Sequence, residues 1–115
     1  STHHPYSILI QNMIDLIHRS LHLPLANIEL ARGVGAGESR CVHQFSKEVG
    51  MTPLNYHRKC RIQRACHLLR STRESIKDIA QRVGFDDPLY FSKVFRKSEG
   101  ISPRRYRMSP GAGVA

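Results

Sequence analysis

Two stretches of this 115-residue chain carry side chains whose types and spacing suit binding to a polyanion. Over residues 88–99, Phe91, Val94 and Phe95 recur at helical spacing and define an apolar face. The opposite side then carries Leu89, Lys93 and Arg96, with Tyr90 and Lys97 flanking. A lysine on such a face can donate to guanine O6 or N7, and a leucine can pack on a thymine methyl. Arg96 and Lys97 suit phosphate oxygens, contacts that add affinity without reading sequence. Over residues 38–49, Cys41, Phe45 and Val49 face inward and leave Arg40, His43 and Lys47 outward. Further candidates for gripping a phosphate backbone are Arg104 and Arg105, at the head of a last short helix, and Arg58 and Arg61, on a long one.

Other chemistry finds no frame. His18 and His22 stand at i, i+4, and His57, Cys60, Cys66 and His67 cluster further on. A metal site needs three or four converging ligands, and this spacing brings none together. There is no recognisable Ser/His/Asp or Cys/His arrangement, and no Gly-rich phosphate loop follows a strand. Neither an enzyme nor a bound cofactor is expected. The cysteines (Cys41, Cys60, Cys66) are odd in number and lack a C-x-x-C pair, which argues against a disulfide framework and for a reducing cytoplasm.

The charge balance points the same way. The chain has 18 basic and 9 acidic side chains, a formal net charge of +9. Residues 1–50 hold four of each sign, so the whole excess falls in residues 51–115. A strongly basic small domain usually has a polyanion partner. The apolar share of 40% suffices for a packed core. No apolar run approaches the roughly 20 residues that cross a bilayer. The start, Ser1-Thr2-His3-His4, has neither Met nor an apolar leader, and we expect a cut-down chain that lacks a further N-terminal domain.

The elements that must position these side chains are all helical. A first helix is expected over 6–21, with Ile8, Leu9, Met13, Ile14, Leu16 and Ile17 on one side. A second is expected over 26–34 with Ile28, Leu30 and Ala31 inward, and a third over 38–49, stopped by Gly50. Thr52-Pro53 opens a long fourth helix to residue 69 or 70, with a stripe of Ile62, Ala65, Leu68 and Leu69. Ser75 caps a fifth helix, whose inward face is Ile76, Ile79, Ala80 and Val83. Asp87-Pro88 opens a sixth that stops at Gly100, and Ser102-Pro103 opens a last turn through Tyr106. The tail, 108–115, is expected to be disordered.

The chain also repeats itself. Leu30-Ala31-Arg32-Gly33-Val34-Gly35 matches Ile79-Ala80-Gln81-Arg82-Val83-Gly84 at an offset of 49. Phe45-Ser46-Lys47 matches Phe95-Arg96-Lys97, Gly50-Met51-Thr52-Pro53 matches Gly100-Ile101-Ser102-Pro103, and Tyr56 matches Tyr106, all at an offset of 50. One residue is thus inserted at the start of the second copy's sixth helix. Each copy has a short helix with an apolar-Ala pair, a Gly turn, a second helix with a central Phe, and a Gly-x-[Thr/Ser]-Pro stop. That is the grammar of a helix-turn-helix. The fold class expected is all-α: two tandem helix-turn-helix subdomains, 5–52 and 72–107, joined by a long linker helix, 53–71, with about seven helices in all.

Residues 23–107 resemble the DNA-binding domain of the AraC/XylS transcription regulators. The resemblance rests on residues 76–85 (IKDIAQRVGF), 90–97 (YFSKVFRK), Gly100-Ile101-Ser102-Pro103 and Tyr106-Arg107, with Arg61-Ile62, Ala65 and Leu68-Leu69 on the linker. It implies two recognition helices entering successive major-groove segments of double-stranded DNA, most often in an activator. Base reading would fall on Leu89, Tyr90 and Lys93 in the second copy and on Ser39, Val42 and His43 in the first. Phosphate contacts are expected from Lys47, Arg96, Lys97, Arg104 and Arg105, while Arg61 matches a position that can instead serve the lobe interface. The resemblance also implies an N-terminal sensing or dimerisation domain beyond Ser1, RNA polymerase as a partner, and a cytoplasmic place of action. A second expectation, from another class, is a non-specific architectural nucleic-acid binder or a module that contacts RNA polymerase.

The first copy departs from the family pattern. Gly37 stands at the cap of its recognition helix, Gly33 lies within the preceding helix at a cost of roughly 1 kcal/mol against Ala, and Cys41 replaces a larger Leu. Gln44 and His57 occupy positions that are often apolar. The first lobe is therefore expected to be the less stable.

Overall fold

Local signals set nearly every helix boundary in the computed structural model, which describes residues 5–109. The expected tail falls, from residue 110 on, outside the described residues, as do the first four residues. Seven helices and no strand occur among the described residues: α1 (Ile8–Arg19), α2 (Asn27–Val34), α3 (Glu38–Val49), α4 (Pro53–Ser71), α5 (Ile76–Arg82), α6 (Pro88–Glu99) and α7 (Pro103–Met108). The Ser75 hydroxyl accepts from the Asp78 amide, Asp87 from Leu89 and Ser102 from Arg105, each filling one of the amide acceptor needs that a helix start leaves open. Thr52 does the same for Asn55 at the start of α4. Gly50 and Gly100 end α3 and α6 at φ of 88° and 84°, a conformation that side chains disfavour.

The chain divides into two units, residues 1–58 and 59–115, and the division runs through α4. In the first, Ile10, Met13 and Ile17 of α1 meet Leu30 and Ala31 of α2 and Cys41 and Phe45 of α3. Two expected inward residues point out: Ile8 is 70% exposed and Ile28 is 47% exposed. Each lies two positions from a fully buried residue, Ile10 and Leu30, and two steps on a helix turn a side chain to the other side. Gly33 lies against α1: a Cβ built there would be 2.5 Å from the Leu16 Cδ2, so a larger residue would require the end of that side chain to shift. His57 is buried, and its Nε2 lies 3.1 Å from the Leu21 carbonyl oxygen, which satisfies a polar ring at an otherwise apolar position.

In the second unit, Ile62, Ala65, Leu68 and Leu69 of α4 meet Ile79, Ala80 and Val83 of α5 and Phe91 and Phe95 of α6. Phe85 of the turn is buried with them. Arg107 holds the end of α4, its Nε donating to the Leu69 carbonyl at 2.9 Å and its Nη2 to Thr72 at 3.3 Å. The Arg70 guanidinium lies 4.2 Å from the Tyr106 ring centroid.

The repeat extends to atomic detail. The Ala36 amide bonds the Ala31 carbonyl at 3.1 Å, and the Phe85 amide bonds Ala80 at 2.8 Å, the same wrap of chain at both helix ends. Phe45 meets Tyr56 edge-on with ring centroids 5.5 Å apart, and Phe95 meets Tyr106 at the same 5.5 Å. Pro53 and Pro103 are both buried. The inserted residue falls in the turn, not in α6: two residues separate Gly35 from Glu38, and three separate Gly84 from Pro88. The repeat also reaches further back than the sequence comparison found. Ile10, Met13 and Ile17 carry the same spacing as Ile62, Ala65 and Leu69, so α1 is the counterpart of the second part of α4.

Candidate nucleic-acid interface

Packing fixes which side of each second helix faces solvent. On α6, Phe91 and Phe95 have no exposure, and Leu89, Lys93, Arg96 and Lys97 stand exposed on other sides. Leu89 is 80% exposed, an isolated apolar side chain in water. Tyr90 is 47% exposed and leans on the turn, its ring centroid 6.1 Å from that of Phe85. On α3, Cys41 and Phe45 are buried, while Ser39, Arg40, His43 and Lys47 are exposed and Val42 is half-buried. Ser39, Val42 and His43 line one open depression with Glu38 and Ser46. Periodicity had not singled out Glu38 or Ser46; the signal was available in their spacing from Val42, four residues either way.

Several charged or polar residues are held by other work. The Arg61 guanidinium donates to the Gly84 carbonyl at 3.2 Å and lies 5.7 Å from the Phe85 ring centroid. Burial lowers its pKa, against the pull of Asp86. Arg61 therefore steadies the turn between α5 and α6. Arg82 pairs with Glu74. Gln44 and Glu48, on the inner flank of α3, tie that helix to the start of α1. Glu48 accepts from the Ser7 amide and hydroxyl, both at 2.8 Å, and Gln44 donates to the Ser7 hydroxyl at 3.0 Å and to Glu48 at 2.8 Å. The Ser7 amide, then Gln44, holds the Glu48 carboxyl below its ordinary pKa. Arg58, Arg104 and Arg105 remain exposed.

Among the described residues no three His, Cys, Asp or Glu side chains lie close enough to hold a metal ion. Burial pushes the Cys66 thiol up to about 11, away from the thiolate that reactivity requires. No helix among the described residues is long and apolar enough to cross a membrane.

Two helix-turn-helix units, each turning a polar face of its second helix to solvent, define a DNA-binding domain. The match to known proteins makes the class specific. Residues 30–109 match the helix-turn-helix domain family model, and the chain belongs to the AraC-type family of transcription-regulator DNA-binding domains. It is 36% identical over 110 residues to the arabinose operon regulatory protein of Salmonella typhimurium, covering 93% of this chain and 38% of that protein. The chain spans less than half of the length of the curated relatives it matches. Among solved structures it is similar to the C-terminal domain of AraT, a response regulator from Geobacillus stearothermophilus, with a TM-score of 0.85, 27% identity and coverage of 95% of this chain and 92% of that one. It is also similar to the DNA-binding domain of the global transcriptional factor AdpA in complex with a target DNA, with a TM-score of 0.82, 25% identity and coverage of 89% and 92%.

Proposed function

We propose that this chain is the sequence-specific DNA reader of a bacterial transcription activator, with α3 and α6 entering successive major-groove segments. Its carrying observation is the outward face of α6, where Leu89 and Lys93 stand exposed above a fully buried Phe91 and Phe95. Leu89, Tyr90 and Lys93 read bases in the second unit, and Ser39, Arg40, Val42 and His43 read them in the first. Lys47, Arg96, Lys97, Arg104 and Arg105 hold phosphates. Subdomains 5–52 and 72–107, with 53–71 as their linker, are the working parts. Sensing and dimerisation are assigned to sequence outside these 115 residues, and the place of action to the cytoplasm.

Competition binding tests this reading. A site selected from a random DNA pool should bind roughly 10³-fold or more tightly than scrambled duplex. Equal affinity for both would defeat it. A second reading draws on the charge excess confined to residues 51–115: a non-specific binder, or a module that contacts RNA polymerase. The same competition, run at several salt concentrations, separates the two.

A further inference from the structure

Glu38 is the first residue of α3, and it is exposed. It lines the depression that also holds Ser39, Val42, His43 and Ser46, and it supplies the one formal charge there. Neither an ion pair nor a hydrogen bond engages its side chain among the described residues. The matched position at the start of α6 is Pro88, which carries no charge.

An anion on a surface that meets DNA is repelled by the phosphates flanking the groove. It is tolerated where it faces a base-edge donor that has no acceptor beside it. In the major groove that donor is the cytosine N4 amino group, because adenine places its N7 acceptor next to N6. The surroundings fit such a role. Residues 1–50 carry four basic and four acidic side chains, so little general attraction masks the choice that a carboxylate makes.

We propose that Glu38 is a specificity-determining residue of the first unit: its carboxylate accepts from a cytosine N4 amino group and disfavours every other base at that pair. This inference rests on the reading of α3 as a DNA-reading helix. A competing role is local, since an acidic residue in the first turn steadies the helix dipole and Gly37 offers α3 no side-chain cap.

Selection from a random DNA pool with the unmodified chain and with Glu38→Gln and Glu38→Ala, alongside thermal unfolding of all three, separates these roles. The unmodified chain should prefer cytosine at one position by at least roughly fivefold. Glu38→Gln should move that preference to adenine, whose N6 and N7 suit an amide, and Glu38→Ala should erase it. Both variants should bind scrambled DNA more tightly than the unmodified chain does. An unchanged motif in both variants, with or without a lower melting temperature, overturns the inference and leaves the dipole role alone. Failure of the unmodified chain to select any motif overturns the proposed function itself, and this inference with it.

Discussion

The two units share their framework and differ in what they turn outward. Ala31 and Ala80, Phe45 and Phe95, and Tyr56 and Tyr106 hold matching places in the two cores. On the surface the second unit is cationic where the first is not: Ser46 stands for Arg96, Leu54 for Arg104 and Asn55 for Arg105. Helix starts differ too. Ser75 and Asp87 cap α5 and α6 with side-chain hydrogen bonds, whereas Ala26 and Gly37 give α2 and α3 none. The residues that make the two cores and those exposed on α3 and α6 are separate sets, so surface charge differs while the architecture stays.

The largest test concerns the cores. Phe45→Ala and Phe95→Ala should each cost about 3–5 kcal/mol in urea unfolding, because both rings are fully buried and pair with a tyrosine at the same distance. A much smaller loss for Phe45→Ala would break the equivalence. Next comes DNA binding. Lys93→Ala should lose about 1–3 kcal/mol of discrimination at one base pair. Arg96→Ala should weaken all sequences alike and lower the salt slope by about one, and its counterpart Ser46→Ala should leave the slope unchanged. A fall in slope for Ser46→Ala would erase the contrast.

Stability should differ by less. Gly37 has φ −70°, ψ 146° and no atom within 4 Å of a built Cβ, so a serine fits there without strain. Gly37→Ser should stabilise the first unit by about 0.5–1 kcal/mol, through a new cap and a less flexible unfolded chain. Hydrogen exchange in the unmodified protein should be faster over residues 25–50 than over 75–106. Equal protection in both would remove the stability difference.

The smallest effect is one of pH. The Glu48 carboxyl titrates below 4.5 in the folded chain, held down first by the Ser7 amide. Its contribution is therefore complete above about 4.5 and disappears as the pH falls through the folded value. Protection of the α1 and α3 amides, taken relative to the intrinsic exchange rate, should fall on acidification below 4.5, and Glu48→Gln should flatten the dependence.

Helix starts and stops were legible because they rest on single residues with local effects, such as Asp87-Pro88 and Gly100. The apolar Phe faces of α3 and α6 were legible because polar residues bracket them. The face of α1 was legible from Leu9 to Ile17 and failed at its start: Ile8, Leu9 and Ile10 are consecutive, and periodicity cannot rank them without the partner helix. The approach of Leu16 to Gly33, seventeen residues away, is a tertiary contact that no propensity scale carries. Spacing alone leaves Arg61 open between a phosphate contact and an internal role, and its bond to the Gly84 carbonyl shows the internal one. Glu38 stands in the first turn of α3, where an acidic residue suits the helix dipole and periodicity gives it no further mark.

The long helix α4 has a consequence beyond joining two halves. Its opening, Pro53–Arg58, repeats α7, the six residues Pro103–Met108, and its remainder repeats α1. The closing piece of one copy and the founding piece of the next have become a single rod. Within the described residues the two copies thus form a tandem pair, and α7 matches the opening of α4. Joining residues 59–108 in frame after Met108 would extend that helix and found a third copy by the same rule.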